Sequence, residues 1–263
     1  GIVAVLPGAF DASFTASAGY VIRSMVGGID SFPLLAVPMF VLAGILMAHG
    51  KISEKLFDVF VYFLGNKRAG IPCAVIITCL FYGAISGSAP ATVAAVGSMT
   101  IPLLIELGYE KDFSTAIVAV AGGLGVIIPP SIPFIMYAMA TGESVSDLFL
   151  AGIVPGMMIS ALLIFYAYYY CRRHGEDREK IQAKMDQLKT KGFVNILKES
   201  IWALLSPVIV LGCIYSGVAS PTEAAVISVF YSLFVSLFIY KSIKVKQIWG
   251  IMVEAMKTYA PIL

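Results

Sequence analysis

Long apolar stretches that contain no charged side chain alternate along this chain with short charged segments. A helix needs about 20 predominantly apolar residues to cross the hydrocarbon core of a bilayer. The stretches that reach or approach this length are residues 31–50, 69–105, 113–142, 148–171, 200–222 and 224–240. Their size and number predict an all-α polytopic membrane protein embedded in a lipid bilayer.

The middle of the stretch 69–105 is rich in polar and helix-breaking residues. Residues 83–92 have the sequence GAISGSAPAT, in which glycine, serine and proline interrupt an otherwise apolar segment. If the turn lies near Gly87, the arm from Ala91 to Ile105 is only about 22 Å long, shorter than the ~30 Å bilayer core. We therefore expect a re-entrant helical hairpin that enters the membrane from the cytoplasmic side.

The stretch 113–142 is also interrupted at its centre. A glycine-rich run at 122–125 is followed by Pro129, Pro130 and Pro133. A continuous helix does not pass through this combination, because proline lacks an N–H group and clashes with the preceding turn. We expect two half-helices of roughly 16 Å each that meet at an unwound stretch near the membrane midplane, as at transporter binding sites.

The charged loops predict the orientation in the membrane. Segments 51–68 and 172–199 carry clusters of lysine and arginine, and 241–246 carries three more lysines. The positive-inside rule places such loops in the cytoplasm. Linkers 141–147 and 220–222 contain no lysine or arginine, so we place them on the opposite side. With this placement, successive loops alternate between the two sides of the membrane, as the predicted crossings require.

Composition narrows the function classes. Hydrophobic residues make up 59% of the chain and charged residues 13%, against about 25% charged in ordinary soluble domains. The formal net charge is only +2 and the basic residues are concentrated in loops, so nothing indicates nucleic acid as a partner. The four cysteines form no C-x-x-C pair and are expected to be small apolar side chains, not disulfide partners or metal ligands.

Charged residues beside the apolar stretches have structural explanations. Segments 53–66 and 244–258 mix charged with apolar side chains, and we expect amphipathic helices at the membrane interface. Glu223 follows Ser-Pro-Thr at the start of an apolar helix, where an acidic side chain favours the helix dipole and can cap the first turn. We therefore expect a capping role for Glu223.

The two interrupted segments together have the chemistry of an ion site. Prolines in the second segment donate no hydrogen bond, so carbonyl groups between Gly125 and Pro130 can face a hard cation beside the hydroxyls of Ser86 or Ser88. Helices that start after Pro90 and Pro130 would point their positive ends at a substrate carboxylate. The alternative is that these small residues serve only close packing between helices.

Two other function classes stay open at this point. An intramembrane serine hydrolase would use Ser86 or Ser88, but the only histidines, His49 and His174, lie at the ends of apolar stretches, and residues 83–92 do not match G-x-S-x-G. No histidines or carboxylates have metal-ligand spacing. A channel or a structural membrane subunit is the other class, and a channel would need a continuous polar face. The polarity is concentrated in two interrupted segments, which favours an occluded transport site.

Four segments resemble the large membrane subunit of tripartite ATP-independent periplasmic (TRAP) transporters, within the ion transporter superfamily. They are DSFPLLAVPMFVLAGILM at 30–47, FYGAISGSAPATVAAVGSMTIPLLIELGY at 81–109, GGLGVIIPPSIPFIMYAMATGESVSDLFLAGIVPG at 122–156 and SPTEAAV at 220–226. In this order they are highly specific, whereas SPTEAAV alone would be weak. The resemblance covers almost the whole chain.

The resemblance implies an elevator transporter made of two inverted repeats, each with a re-entrant hairpin and a broken helix, in a bacterial or archaeal inner membrane. It implies sodium as the coupling ion and a small four-helix membrane subunit as partner. It also implies a periplasmic substrate-binding protein that delivers an organic acid, such as a C4-dicarboxylate or sialic acid. A stand-alone sodium/carboxylate transporter of the same superfamily is the alternative. We expect no covalent chemistry, and hence no enzyme.

By position, the resemblance also assigns residues to two sites. The first sodium site would contain Ser86, Gly87, Ser88, Gly125, Ile128 and Pro130, of which the last three would act through backbone carbonyls. The hairpin tip and the neighbouring substrate cavity would be shaped by Pro90, Thr92, Pro129 and Ser131.

These expectations divide the chain into four parts. We predict N-terminal scaffold and interfacial helices at 1–68, transport elements at 69–171 (hairpin 69–105, broken helix 113–142, following helix 148–171), a basic cytoplasmic connector at 172–200, and scaffold helices that begin the second repeat at 201–263. A new apolar run starts at the end of the chain. We therefore expect the chain to be part of a longer polypeptide, with a first crossing that begins before Gly1.

Overall fold

The computed structural model describes residues 32–190 and 192–260, together with residues 19, 22, 23, 26 and 27. The described residues form helices joined by short loops, and they contain no β-strand. This confirms the predicted all-α class. Residues 261–263, where the sequence predicts a new apolar run, and most of the segment before residue 32 lie outside the described residues.

The described helices are named in chain order. They are α1 (Ala36–His49), α2 (Ile52–Leu64), α3 (Gly70–Ser86), α4 (Ala89–Glu106), α5 (Lys111–Gly122), α6 (Ile132–Thr141), α7 (Val145–His174), α8 (Arg178–Thr190), α9 (Phe193–Tyr215), α10 (Pro221–Phe234) and α11 (Val245–Tyr259). Short 3-10 helices precede α1 (Phe32–Leu35) and follow α5 (Gly123–Val126), and a π-helical stretch (Val235–Ile239) follows α10.

Five of the described helical segments are long and apolar enough to cross a bilayer. They are Phe32–His49, Ala89–Glu106, Val145–His174, Asn195–Tyr215 and Pro221–Ile239, with shorter apolar helices at Gly70–Ser86 and Ile132–Thr141. These segments confirm the expected polytopic membrane protein. The mixed segments 53–66 and 244–258 form helices α2 and α11, as predicted; their location at the membrane interface stays a prediction.

Helices α3 and α4 form the predicted hairpin, with only Gly87 and Ser88 between them. The second arm is longer than predicted, because α4 starts at Ala89 and not at Ala91, and it continues to Glu106. Its 18 residues span about 27 Å, so the arm exceeds the predicted length of about 22 Å but is still slightly shorter than the ~30 Å bilayer core.

Helices α5 and α6 are the two halves of the predicted broken helix. Helix α5 ends at Gly122, the 3-10 helix continues to Val126, and residues 127–131 form no regular helix before α6 begins at Ile132. The prolines explain the break, because they remove N–H donors where a continuous helix would need them. We call residues 127–131 the unwound segment.

The hairpin tip reaches this unwound segment. The Ile132 N–H donates a hydrogen bond to the Gly87 carbonyl oxygen, with an N···O distance of 3.3 Å. Since the unwound segment is the midpoint of the α5–α6 pair, the hairpin ends midway along this pair and does not extend past it. The contact supports the re-entrant geometry; entry from the cytoplasm stays a prediction.

Two clusters of buried apolar side chains hold the helices together. One surrounds the hairpin and joins it to α2, α5 and the C-terminal part of α7, and the other joins α1 to α10 and α11. Helix α7 runs along the hairpin and also contacts α6. The candidate site lies where the hairpin tip, the unwound segment and α1 meet.

Helix α10 begins with a capping box, as predicted for Glu223. The Glu223 carboxylate accepts a hydrogen bond from the Ser220 N–H at 2.7 Å, and the Glu223 N–H donates to the Ser220 hydroxyl at 3.3 Å. Both exposed N–H groups are thereby satisfied. The acidic side chain in this apolar helix has a local structural role.

Candidate functional site

The turn at the hairpin tip is built from one glycine and one serine. Gly87 has a φ of +62°, a left-handed conformation that glycine adopts without a steric penalty. Ser88 is extended and caps α4, with its hydroxyl accepting a hydrogen bond from the Ala91 N–H at 3.5 Å. These two residues reverse the chain and bring the first turn of α4 against the end of α3.

Hydroxyl groups cluster inside this turn. The hydroxyl oxygens of Ser86 and Thr92 lie 3.0 Å apart, and both side chains are buried. The Thr92 hydroxyl also lies 2.8 Å from the Ser88 carbonyl oxygen, to which it donates. Residues 83–92 include no charged side chain. The tip therefore offers several oxygen atoms and no charge of its own.

Three consecutive carbonyl groups in the unwound segment lack the donor that a continuous helix would supply from four residues further on. For Ile128 that donor would be the Ile132 N–H, which donates to Gly87 instead. For Pro129 the donor would be Pro133, which has no N–H group. For each of these carbonyl groups, the missing donor can be identified.

The third carbonyl, that of Pro130, loses its donor to a side chain. The Phe134 N–H donates to the Ser131 hydroxyl at 3.4 Å, and this hydroxyl donates in turn to the Val126 carbonyl at 2.6 Å. Among the hydrogen bonds of the described residues, none ends on the carbonyl oxygens of residues 128–130. These oxygens are available to a ligand.

Glycines bring the hairpin and the broken helix into backbone contact. A Cβ atom on Gly83 would lie 2.6 Å from the Gly125 Cα. A Cβ atom on Gly125 would lie 2.5 Å from the Thr92 hydroxyl oxygen and 3.0 Å from the Ser88 carbonyl oxygen. A larger residue at either position would push the two elements apart, so Gly125 lies directly against the oxygen atoms of the tip.

The tip meets the unwound segment at a second point. A Cβ atom on Gly87 would lie 2.8 Å from the Pro130 carbonyl oxygen, beside the hydrogen bond from Ile132 to Gly87. Backbone groups from both elements therefore form this contact. Backbone oxygens near membrane depth are tolerated only where they are buried in protein or line a cavity.

The residues that the resemblance assigns to the sodium site lie together. The contacts above connect the tip to the unwound segment and to the 3-10 helix before it, and they involve Ser86, Gly87, Ser88, Gly125 and Pro130. Ile128 lies in the same unwound segment, with its carbonyl unpaired among the described residues. Sodium binding by this group stays a prediction.

The residues assigned to the substrate cavity have different surroundings. Thr92 lies inside the hydroxyl cluster, Ser131 caps α6, and Pro129 is buried in the unwound segment. Of these four residues, only Pro90 lines a cavity of about 460 Å³ between the hairpin, α1, α2 and α11. Their shared role in substrate binding stays a prediction.

Helix α1 also contacts the tip, which the sequence did not predict. A Cβ atom on Gly44 would lie 2.9 Å from the Ser86 Cβ. The Tyr82 hydroxyl, on a fully buried side chain, donates to the Gly44 carbonyl at 2.8 Å. Gly44 and Tyr82 belong to uniformly apolar stretches, where nothing in the local pattern separates them from ordinary core residues. Their contact holds α3 against α1 beside Ser86.

The histidines make contacts elsewhere than at the tip serines. His49 lies 2.9 Å from the Glu254 carboxylate, and His174 stacks on Tyr170 with ring centroids 4.1 Å apart. Ser86 bonds to oxygen atoms of its own turn. Within the described ranges, no three His, Cys, Asp or Glu side chains are grouped to hold a metal ion. The arrangement suits reversible binding through oxygen atoms.

Comparison with known proteins matches the chain to a family model described as "Tripartite ATP-independent periplasmic transporter, DctM component", over residues 2–263. The chain is 43% identical to the isethionate TRAP transporter permease protein DctMQ of Oleidesulfovibrio alaskensis, over 93% of the chain and 38% of that protein. It is 39% identical to the C4-dicarboxylate TRAP transporter large permease protein DctM of Pseudomonas aeruginosa, over 87% of the chain and 52% of that protein.

A further relative is the sialic acid TRAP transporter permease protein SiaT of Haemophilus influenzae. It is 36% identical over 89% of the chain and 37% of that protein. The chain therefore spans about half or less of the length of these curated relatives.

Proposed function

The chain belongs to the DctM component family of tripartite ATP-independent periplasmic (TRAP) transporters, and from this membership we propose that it forms part of a sodium-coupled importer of a small organic acid. It is a multi-pass protein of the inner membrane, and its relatives are named as transporter permeases, not as enzymes. In the proposed transporter, a periplasmic substrate-binding protein delivers the acid and a small four-helix membrane subunit completes the membrane part.

One observation carries the sodium part of the proposal: the hairpin tip and the unwound segment face each other with uncharged oxygen atoms. Carbonyl groups of unwound transporter helices are suited to coordinate sodium. We assign the ion to the oxygens of Ser86, Gly87, Ser88, Gly125, Ile128 and Pro130. The Thr92 hydroxyl, 3.0 Å from that of Ser86, is a further candidate ligand.

Two helix N-termini lie beside this oxygen cluster and support an anion site. Helix α4 begins at the tip under the Ser88 cap, and α6 begins at the unwound segment under the Ser131 cap. The positive ends of helices attract anions. Together with the bound cation, they would hold an acid group without a buried lysine or arginine. Pro90 and Pro129 would shape this space.

Sodium binding would join the tip to the unwound segment and so complete the anion site. The hairpin, the broken helix and α7 form the proposed moving body, and α1, α9 and α10 belong to the proposed scaffold. Helix α2 connects the two: its Lys55 pairs with Glu199 of α9, and the Ser200 hydroxyl donates to the Lys55 carbonyl at 2.9 Å. Its other end leads directly into the hairpin, which suits an elevator movement.

The names of the relatives support a substrate class. They mention isethionate, C4-dicarboxylate and sialic acid, all small polar molecules with an acid group. We propose a carboxylate or sulfonate of this kind for this chain. Isethionate is the first candidate, because the isethionate permease is 43% identical to the chain.

The test is uptake into proteoliposomes that hold the complete large subunit and its small subunit. Radiolabelled isethionate, succinate and sialic acid are supplied with and without a sodium gradient and the purified binding protein. We expect uptake of one acid to require both. Uptake without the binding protein would indicate a stand-alone transporter, and uptake without sodium would contradict the ion site.

The double variant Ser86→Ala with Ser88→Ala tests the ligands. It should reduce sodium-dependent uptake by at least about 10-fold, because even the loss of a group that supports a metal ligand typically costs 10- to 100-fold in metal affinity. Ser160→Ala is the control: its buried hydroxyl bonds to the Met157 carbonyl of its own helix at 2.8 Å. An unchanged sodium dependence in the folded double variant would refute the assignment.

A further inference from the structure

A buried carboxylate lies at the other end of the hairpin, far from the tip. The Glu176 side chain is only 3% exposed. Its Oε1 and Oε2 accept hydrogen bonds from the Ala69 N–H at 3.0 and 3.2 Å, and its Oε1 accepts one from the Tyr109 hydroxyl at 2.7 Å. Arg178 supplies the positive charge, with Nη2 3.4 Å from Oε2. We call these four residues the base clasp.

The partners of Glu176 are the two ends of the hairpin. Ala69 immediately precedes α3, and Tyr109 follows α4, with its N–H bonded to the Leu104 carbonyl at 3.0 Å. A carboxylate at the N-terminus of α3 is also favoured by the helix dipole. Burial, and then the hydrogen bond to Glu176, raise the pKa of the Tyr109 hydroxyl, which therefore stays protonated as the donor. One side chain thus ties both arms together at their base.

Glu176 itself is placed by α7, since only Gly175 separates it from the end of that helix. Helix α7 also touches the broken helix. A Cβ atom on Gly152 would lie 2.6 Å from the Ile127 carbonyl oxygen, and one on Gly156 would lie 2.3 Å from the Ile128 Cδ1. The same helix therefore contacts the unwound segment near one end and holds the hairpin base at the other.

The length of α7 between its contact with the unwound segment and its C-terminal end matches the length of the hairpin from base to tip. His174 lies 18 residues after Gly156 in α7, and Gly87 lies 18 residues after Ala69 in the hairpin, which is about 27 Å in each case. Helix α7 therefore runs from the unwound segment, at Gly156, to the hairpin base. The first arm of the hairpin covers the same length from its base back to the unwound segment. A shift of the base along α7 would move the tip by a similar amount.

We propose that Glu176 is a positioning residue for the candidate sodium site: by clasping both arms of the hairpin to the end of α7, it sets the height of the tip against the unwound segment. This rests on the proposed sodium coupling. The carboxylate touches no proposed ligand and acts only through the rigid arms of the hairpin. Its loss should therefore weaken sodium binding without removing an oxygen from the site.

Sodium titration of uptake by the complete transporter tests this proposal. Glu176→Gln keeps the shape of the side chain and weakens the clasp. We expect it to raise the sodium concentration for half-maximal uptake by about 3-fold or more, within the range by which residues between coupled sites act. Maximal uptake at saturating sodium should be kept. Tyr109→Phe, which removes one of the hydrogen bonds, should give a smaller shift in the same direction.

Glu110→Gln is the matched control. Glu110 is exposed at the same end of the molecule and also accepts a hydrogen bond from a tyrosine hydroxyl, but this is Tyr170 at 2.6 Å, on α7. It should leave the sodium titration unchanged. An unchanged half-saturation in Glu176→Gln would overturn the proposal, and so would a fall in maximal uptake alone, since that is the result of a purely structural role.

Thiol labelling, quantified for each cysteine by mass spectrometry, gives a second readout that does not depend on sodium. Cys171, 2% exposed, lies in the last turn of α7, and Cys79 is fully buried within α3. Glu176→Gln should expose Cys171 to a maleimide and leave Cys79 protected. If Cys79 also reacts, the variant has lost its fold. The sodium titration and the Cys171 labelling of Tyr109→Phe then test the proposal.

Failure of the proposed function has a separate signature. If uptake by the wild-type transporter does not depend on sodium, the proposed coupling is wrong, and the role of Glu176 at the sodium site falls with it. The labelling of Cys171 then still shows whether Glu176 closes the hairpin base. If the wild type depends on sodium and the variant does not differ from it, only the inference about Glu176 is wrong.

Discussion

The two ends of the hairpin are held in opposite ways. At the tip, the contacts are made by hydroxyl and backbone groups without charge, and the direct hydrogen bond from Ile132 to Gly87 is 3.3 Å long. At the base, a buried carboxylate binds both arms and an arginine. The difference indicates a hairpin that is fixed at its base and adjustable at its tip.

Electrostatics explains why the charge is at the base. A buried charge must be paired and hydrogen-bonded in every state of the protein, and Glu176 is satisfied by groups of the chain itself. A site that binds and releases a monovalent cation needs groups that tolerate both conditions. Neutral carbonyl and hydroxyl oxygens do so, whereas a carboxylate at the tip would be left unpaired after release of the ion.

Aromatic rings extend the fixed region around the base. Phe113 of α5 stacks on Tyr170 of α7, with ring centroids 3.9 Å apart, and Tyr170 stacks on His174 at 4.1 Å. The first half of the broken helix is thereby held to α7 at the same end as the hairpin. Both elements that form the candidate site are thus anchored to one helix at their bases, and at the site they meet through uncharged groups.

The largest effect on stability should come from breaking the base. Glu176→Ala leaves the Ala69 N–H and the Tyr109 hydroxyl without their partner, and each unsatisfied buried group costs about 1–3 kcal/mol. We expect the free energy of unfolding to fall by about 3 kcal/mol, measured by thermal unfolding of the purified complex. Glu110→Ala, at an exposed residue of the same end, should cost much less. Equal losses in the two variants would contradict a special role for the base.

A substitution in the 3-10 helix that packs against the tip should affect transport more than stability. In Gly125→Ala, the new methyl group would meet the Thr92 hydroxyl and the Ser88 carbonyl, and such overpacking typically costs about 1–3 kcal/mol. Because it separates the tip from the 3-10 helix, we expect sodium-dependent uptake to fall by more than about 10-fold.

Gly123→Ala is the control for Gly125→Ala. A Cβ atom on Gly123 would meet no other atom within 4 Å, although the residue belongs to the same 3-10 helix. Uptake by this variant should equal that of the wild type. If both alanine variants transport normally, the close contact at Gly125 is not needed for the site.

The sequence predicts the tip far better than the base. Local signals mark the tip and the break: GAISGSAPAT interrupts one apolar stretch, and glycines and prolines interrupt the next. At the base, Glu176 lies in a charged run between two helices and looks like a solvated loop residue. Its partners Ala69 and Tyr109 are 107 and 67 residues away in the chain. Local periodicity in the sequence does not indicate a contact between residues so far apart in the chain.

The exact start of α4 is the second feature that the sequence predicted poorly. The sequence predicts an arm that starts at Ala91, but Ser88 caps α4 and the helix starts at Ala89. That start places Thr92 in position to bond the Ser88 carbonyl and to lie beside Ser86. A propensity argument rarely resolves a helix start to within two residues, and here those two residues decide whether Thr92 lies beside Ser86.

The finest comparison is between two threonines on α4. Thr92 and Thr100 are both fully buried, and the hydroxyl of each donates at 2.8 Å to the carbonyl four residues earlier, on Ser88 and Val96. Their valine variants should each lose about 1 kcal/mol of stability, the typical worth of one hydrogen bond. Only Thr92 also lies beside Ser86 and Gly125 at the tip.

Thr92→Val should therefore raise the sodium concentration for half-maximal uptake by about 2- to 10-fold, as expected for the loss of one weak neutral ligand or of its support for Ser86. Thr100→Val should leave that concentration unchanged. The measurement is a sodium titration of uptake with both variants at matched protein levels. A shift of the same size in both would mean that uptake responds to the general stability of α4, and the adjustable tip would then have no separate role in binding the ion.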